Sequence, residues 1–488
     1  MIYRPHKRYP FTKSALLVGL VAGVLGTFAF GTPLAGFAWF VLPVAAGLVW
    51  RADEPPVLSF ALAFQWVFIV VGYLYWCTGG DVTELLFGSV ELAITVSLTG
   101  LLCLALGLRV GLAILSRPLG RRAAFARQTG EMYNLHQLFW VTVITYSVSW
   151  AFELSPNNTS SLAVFNAAQI LGSIISFREV LFCLLWLTIL RQRQGYGYGV
   201  IVLVVALVPR FISTQSSFKE LIFMLFVVLL AEFRPWIKGP AQRSWHRRIG
   251  ATVLAIFVLL VAAGAVWEGA IKPKWRTFDA EGSPMDKLEA FVDVTESATA
   301  ESESQSWLQD LIRRVSSITQ FALVLNRVPA VVPHENGQLT MRAIKHVLVP
   351  RILYPEKENL GTDSWLAEEY AGLQVGEDTS VGIGYMAEFY VDWGIAGLWP
   401  CLIAFGVFLG LAYGLIFLLS PSYPIGAALV IVPFMNNFIT FEASFPKLLG
   451  GFIMNVVVLL VLARFIPPLL RASVARKAIP GSAVIGSR

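Results

Sequence analysis

An all-α polytopic membrane protein, with about twelve transmembrane helices and one large, mostly helical outer loop, is the fold class this sequence predicts. Three observations predict it. Of 488 residues 56% are hydrophobic and only 14% charged, against about a quarter charged in soluble domains, and the mean hydropathy is +0.67. The apolar residues fall into runs near the roughly 17 to 25 residues that a membrane-crossing helix needs. The aromatic residues gather where those runs meet polar sequence, as in Trp50-Arg51, Tyr75-Trp76 and Tyr390 to Trp393, which is where amphipathic rings sit at a membrane–water interface.

Twelve runs are candidates: 14–30, 33–50, 57–77, 89–115, 136–152, 173–190, 199–212, 218–233, 250–271, 386–419, 424–441 and 446–466. The opening MIYRPHKRYPFTK before an apolar run, without a small-residue cleavage site and with many further spans after it, reads as a first signal anchor. With both termini cytoplasmic, the inner side receives about 22 of the 37 Lys and Arg residues, and the short outer turns at 31–33, 78–88 and 155–161 receive none. That is the asymmetry expected of an inner membrane protein. The predicted organisation is transmembrane helices 1–9 over 1–271, a periplasmic loop over 272–385, helices 10–12 over 386–470 and a cytoplasmic tail over 471–488. The loop's own eleven or so cations do not oppose this, because long loops translocate largely regardless of charge.

Basic inner loops account for the net charge of +6 without a nucleic-acid partner. Cys77, Cys103, Cys183 and Cys401 all lie in apolar runs and read as small core residues. His334 and His346 are the histidines of the outer segment and have no second ligand at metal spacing, so neither a metal nor a cofactor is expected.

Four cations break the pattern. Arg178, Arg210, Lys219 and Lys447 lie within or at the outer ends of spans, where a charge costs on the order of 3 kcal/mol and is usually paired or functional. Arg178 would stand some 18 Å above the inner surface in a core of about 30 Å. The runs holding Arg210 and Lys219 are short, so the tip of the hairpin PRFISTQSSFKE should be recessed. These cations either pair with Glu179, Glu220 and Glu442 to hold the bundle together, or form an anion site for a phosphate or diphosphate.

Within the long segment, the acidic stretch TESATAESESQS reads as a linker. The apolar positions from Trp307 to Leu325 recur at helical spacing, which predicts an amphipathic helix packed on the loop's own core or lying as a lid. Pro350 and Pro355 frame Arg351 in an extended turn followed by Lys357, either a second anion clamp or a solvated loop. Glu388 and Asp392, four residues apart, share one helical face. They either cap a helix start or supply a general base. Gly382 and Gly384 are read as a flexible lead into that helix, without a complete nucleotide-binding pattern.

Three stretches resemble the Wzy-type polymerases of O-antigen and exopolysaccharide repeat units. STQSSFKELIFMLFVVLLA is similar to that family's polar turn before a cation opening an apolar helix. VPRILYPEKENLGT looks like its PR-x-L-x-P-x-K block, and SVGIGYMAEFYVDWGIAGLW like its G-x-x-x-E-x-Y-x-x-x-G-x-x-G segment. The likeness covers roughly the C-terminal 60% of the chain, and the spacing from Arg351 to Gly361 is one residue shorter than the Arg…Gly pattern of some O-antigen polymerases. The resemblance implies a lipid-phosphosugar-dependent glycosyltransferase. Its donor would be a glycan on undecaprenyl diphosphate and its acceptor a hydroxyl of the next lipid-linked unit, with a chain-length regulator as a candidate protein partner. Arg210, Lys219, Arg351, Arg178 and Lys357 would hold the diphosphate. Glu388 or Asp392, with His346 as a further candidate, would activate the acceptor. An O-antigen ligase, a lipid-linked oligosaccharide flippase and a non-catalytic scaffold are the alternatives, and the two halves show no repeat of the kind transporters carry.

Overall fold

The computed structural model describes residues 12–51, 54–81, 89–120, 133–153, 170–212, 218–232, 250–252, 255, 306–349, 363–374 and 381–470. Among these the chain is helical with no strand. In chain order the helices are α1 (Thr12–Phe30), α2 (Pro33–Val49), α3 (Val57–Cys77), α4 (Val90–Ile114), α5 (Leu135–Glu153), α6 (Phe177–Gln192), α7 (Tyr196–Ile212) and α8 (Phe218–Glu232). They continue with α9 (Ser306–Val315), α10 (Ile318–Arg327), α11 (Gln338–Leu348), α12 (Asp363–Leu366), α13 (Tyr385–Leu419), α14 (Tyr423–Pro433), α15 (Phe445–Ala463) and α16 (Ile466–Leu469). π-helical turns extend α12 over Ala367–Ala371 and α14 over Phe434–Phe438.

Among the described residues, six helices are long and apolar enough to cross a membrane: those at Lys13–Phe30, Val57–Cys77, Val90–Ile114, Ile170–Gln192, Tyr385–Leu419 and Phe445–Ala463. Shorter apolar helices lie at Pro33–Val49, Tyr196–Leu207 and Tyr423–Phe438. Every candidate run coincides with a helix except 250–271, which lies almost wholly outside the described residues. Their starts follow local chemistry. Thr32 Oγ1 accepts the Ala35 N–H at 3.3 Å with Pro33 as first helical residue, and Ser422 Oγ accepts the Ile425 N–H at 3.4 Å ahead of Pro424.

Two packing features fix where the polar side chains stand. α4 and α13 meet backbone to backbone through Gly107, Gly111, Gly406 and Gly410. A Cβ at Gly107 would stand 2.1 Å from the Ile403 carbonyl oxygen, and one at Gly406 2.3 Å from that of Leu104. Small residues four apart on both helices permit such an approach in lipid. α6 is enclosed on all sides from Arg178 to Leu190 by contacts with α5, α7, α8 and α14. Its charged first turn is therefore held inside the protein.

α13 runs 35 residues, about 52 Å at 1.5 Å per residue, which exceeds a bilayer core. It is broken at Gly394, whose φ of 64° and ψ of −174° are not helical. The part before the break carries Glu388 and Asp392. The amphipathic stretch predicted between Trp307 and Leu325 is two helices, α9 and α10, because Ser316 and Ser317 interrupt it. Ser316 Oγ donates back to the Ile312 carbonyl at 2.7 Å, and Ser317 Oγ donates to Glu442 at 3.1 Å. α10 buries Phe321, Ala322 and Val324 against α3, α4 and α13, so it packs on the helix bundle as well as on the π turn after α12.

Candidate functional site

Two polar clusters stand out against the apolar helices. The first is built on α6. Arg178, Glu179 and, from α7, Arg210 are each at most 5% exposed. Arg210 Nη2 donates to Glu179 Oε1 at 2.5 Å, and Asn436 Nδ2, from the π turn after α14, donates to Glu179 Oε2 at 2.9 Å. The Arg178 guanidinium lies 5.4 Å from the ring centroid of Tyr146 on α5, a cation–π distance. Lys219 and Glu220 open α8, and the charges of Glu179, Arg210 and Lys219 all act on Glu220. The hairpin of α7 and α8 thus brings Arg210 and the Lys219-Glu220 pair to the same end of α6.

The second cluster surrounds the first two turns of α13. Glu388 Oε1 accepts the Phe445 N–H, the first of α15, at 3.0 Å. Asp392 accepts the Leu339 and Thr340 N–H groups at the start of α11 at 3.0 and 2.7 Å, together with the Thr340 hydroxyl. Each carboxylate caps a helix N-terminus where orphan donors and the helix dipole favour an anion, and in both cases it is the terminus of another helix. At the Gly394 break the Val391 carbonyl loses its helical partner. It accepts instead the Glu335 N–H and the Nδ1–H of His334, both at 3.1 Å. Tyr370 OH donates to Glu335 at 2.9 Å, and burial, followed by that bond, holds its phenol above the ordinary value.

The segment 434–445 joins the clusters. Asn436 touches Glu179, whereas the Phe438 carbonyl accepts Gln65 Nε2 at 2.6 Å and Gln65 Oε1 accepts the Tyr385 hydroxyl at 2.8 Å. The Tyr385 N–H donates to the Ala443 carbonyl at 2.9 Å. Here the prediction for Gly382 and Gly384 is corrected. A Cβ on Gly382 would lie 2.4 Å from the Glu442 carbonyl oxygen and one on Gly384 2.7 Å from that of Phe441, so these glycines allow close backbone approach rather than flexibility. Lys447 pairs with Asp363 at 2.5 Å, not with Glu442, and so ties the end of the Arg351 block to α15.

A family model described as a domain of unknown function (DUF8712) matches residues 93–468. The chain belongs to that family. The DUF8712 region runs from α4 to α16 and holds every charged residue of both clusters, but not Gln65. No curated protein and no solved structure matches the chain.

Within the DUF8712 region, Arg178, Arg210 and Lys219 share one cluster, and Glu388 and Asp392 lie in the other. His346 is six residues beyond Thr340, about 9 Å along α11 from the Asp392 contact. His334 is the histidine that reaches the acidic turn of α13. Arg351 and Lys357 lie outside the described residues, as do 154–169 and 213–217. Gln65, Tyr146 and Asn436 carry no charge and belong to no motif, and Tyr385 is an unspecified position of the segment around Glu388, so only their polar atoms give them away. A cleft of about 400 Å³ lined by Tyr133, Asn134, His136, Gln192, Gln194 and Tyr198 lies at the opposite end of α6 from Arg178.

Proposed function

We propose that the protein is a multispanning glycosyltransferase that polymerises undecaprenyl-diphosphate-linked oligosaccharide repeat units at the outer face of a bacterial inner membrane. The observation that carries this reading is the first cluster, in which Arg178 and Arg210 lie buried beside Lys219 among apolar helices. A site of that kind suits a diphosphate, since Arg offers a planar fork to phosphate oxygens and Lys a point charge. The proposed topology has twelve spans and cytoplasmic termini, with residues 272–385 outside as a cover over the Arg178 end of α6. In this topology α10 and α11, which pack on α3, α4, α13 and α15, belong to the outer segment.

In this reading the bond between the donor sugar and its diphosphate breaks as the acceptor hydroxyl forms the new glycosidic bond. Arg210, Arg178 and Lys219, with Arg351 and Lys357 from the loop, stabilise the departing negative charge. Glu388 takes the acceptor proton. Asp392, already accepting three hydrogen bonds, positions α11 instead. Alanine at Arg210 should abolish polymer while the full-length chain stays in the membrane. An unchanged chain-length distribution in that variant would sink the proposal.

A further inference from the structure

Tyr146 lies on α5, a helix with no candidate site residue in the sequence, and is 1% exposed. Its hydroxyl has no hydrogen-bond partner among the described residues. Buried tyrosine hydroxyls normally find one, and an orphan points to a water or a ligand group that completes the site. Its surroundings favour a ligand with anionic oxygens. The Arg178 guanidinium covers the ring at 5.4 Å, and the charges of Arg210 and Glu179 also act on the phenol.

A second orphan lies against the same ion pair. The Glu179 carboxylate can only accept, so the Asn436 amide must turn its NH2 toward it, at 2.9 Å. That orientation leaves Asn436 Oδ1 buried and without a partner among the described residues. The surroundings of Glu179 therefore offer cationic donors, one neutral hydroxyl donor and one neutral acceptor. A phosphate alone would use the donors and leave the acceptor unmet. A phosphate bearing a sugar, with hydroxyls beside it, uses both.

We infer that Tyr146 is a ligand-binding residue of this cluster, donating its hydroxyl to an oxygen of the diphosphate-linked donor, with Asn436 Oδ1 accepting from a hydroxyl of the attached sugar. The inference rests on the proposed function and adds to it the neutral half of the site. Tyr146→Phe is the cleaner test, because changing Asn436 also breaks its bond to Glu179.

Full-length wild-type and Y146F proteins in detergent should unfold at the same temperature without ligand, or Y146F slightly higher, since only an unpaired hydroxyl is lost. The KM for a lipid-diphosphate-linked repeat unit should rise about tenfold, equivalent to about 1.4 kcal/mol, with kcat within about twofold. The stabilisation given by added undecaprenyl diphosphate should shrink in parallel. Equal KM and equal stabilisation in the two proteins would overturn the role of Tyr146, with a drop in ligand-free stability marking the hydroxyl's partner as a structural water. A wild-type protein that neither polymerises nor is stabilised by the diphosphate would instead overturn the parent proposal.

Discussion

Glu388 and Asp392 stand one turn apart on α13, yet their carboxylates hold different helices, and this separates their expected roles. Asp392 accepts two backbone N–H groups and a hydroxyl at the start of α11. Asp392→Asn should therefore loosen that cap by about 1–2 kcal/mol and speed proteolysis within 338–348 more than it slows turnover. Glu388→Gln keeps an oxygen for the Phe445 N–H but removes the proposed base, so under the proposed function polymer should be lost with folding intact. Full turnover in E388Q would leave Glu388 a cap only. Glu179→Gln strips the carboxylate from the buried Arg210, and removing one partner of a buried pair costs about 3 kcal/mol or more; a lowered unfolding temperature checks this. The types and spacing of these residues were legible in the sequence. Their partners were not, because a cap for α11 is supplied from 52 or 53 positions away, and nothing local to Asp392 marks that contact.

α13 shows at the scale of an element what a run of apolar residues does and does not reveal. The run at 386–419 reads as one span, but the break at Gly394 divides it into a short segment carrying Glu388 and Asp392 and a longer apolar one. Glycine fits both helix and break, so only the φ of 64° decides. The glycines of α4 and α13 stand at G-x-x-x-G spacing, but their mutual pairing needs three dimensions. Gly107→Ala should lower the unfolding temperature markedly, since its Cβ would stand 2.1 Å from a backbone carbonyl. Gly197→Ala on α7, with nothing within 4 Å, should be neutral or stabilising by up to about 1 kcal/mol. Equal unfolding temperatures for the two variants would remove the glycine seam as a determinant of the fold. The division of the 307–325 stretch into α9 and α10 turns on two serine hydroxyls, one of them bonded to Glu442, and helical periodicity is blind to that long-range contact.

The molecule as a whole is a helical bundle whose apolar runs were legible because lipid imposes length and composition on a crossing helix. Its two polar clusters meet through the segment 434–445, and Gln65 and Tyr385 join it from positions 320 residues apart, a link no local pattern encodes. The sidedness on which the proposed function depends is open to labelling. A single cysteine at the exposed Lys345 should react with an impermeant reagent in cells whose inner membrane is intact, and one at Gln194 only after that membrane is opened; the reverse pattern would invert the topology. The central claim is tested most directly by purified full-length protein reconstituted with one undecaprenyl-diphosphate-linked repeat unit. A ladder of products, each longer by one unit and absent with Arg210→Ala, is the predicted result. No glycosidic bond formed, or a single transfer to a lipid-core acceptor with no ladder, would contradict it.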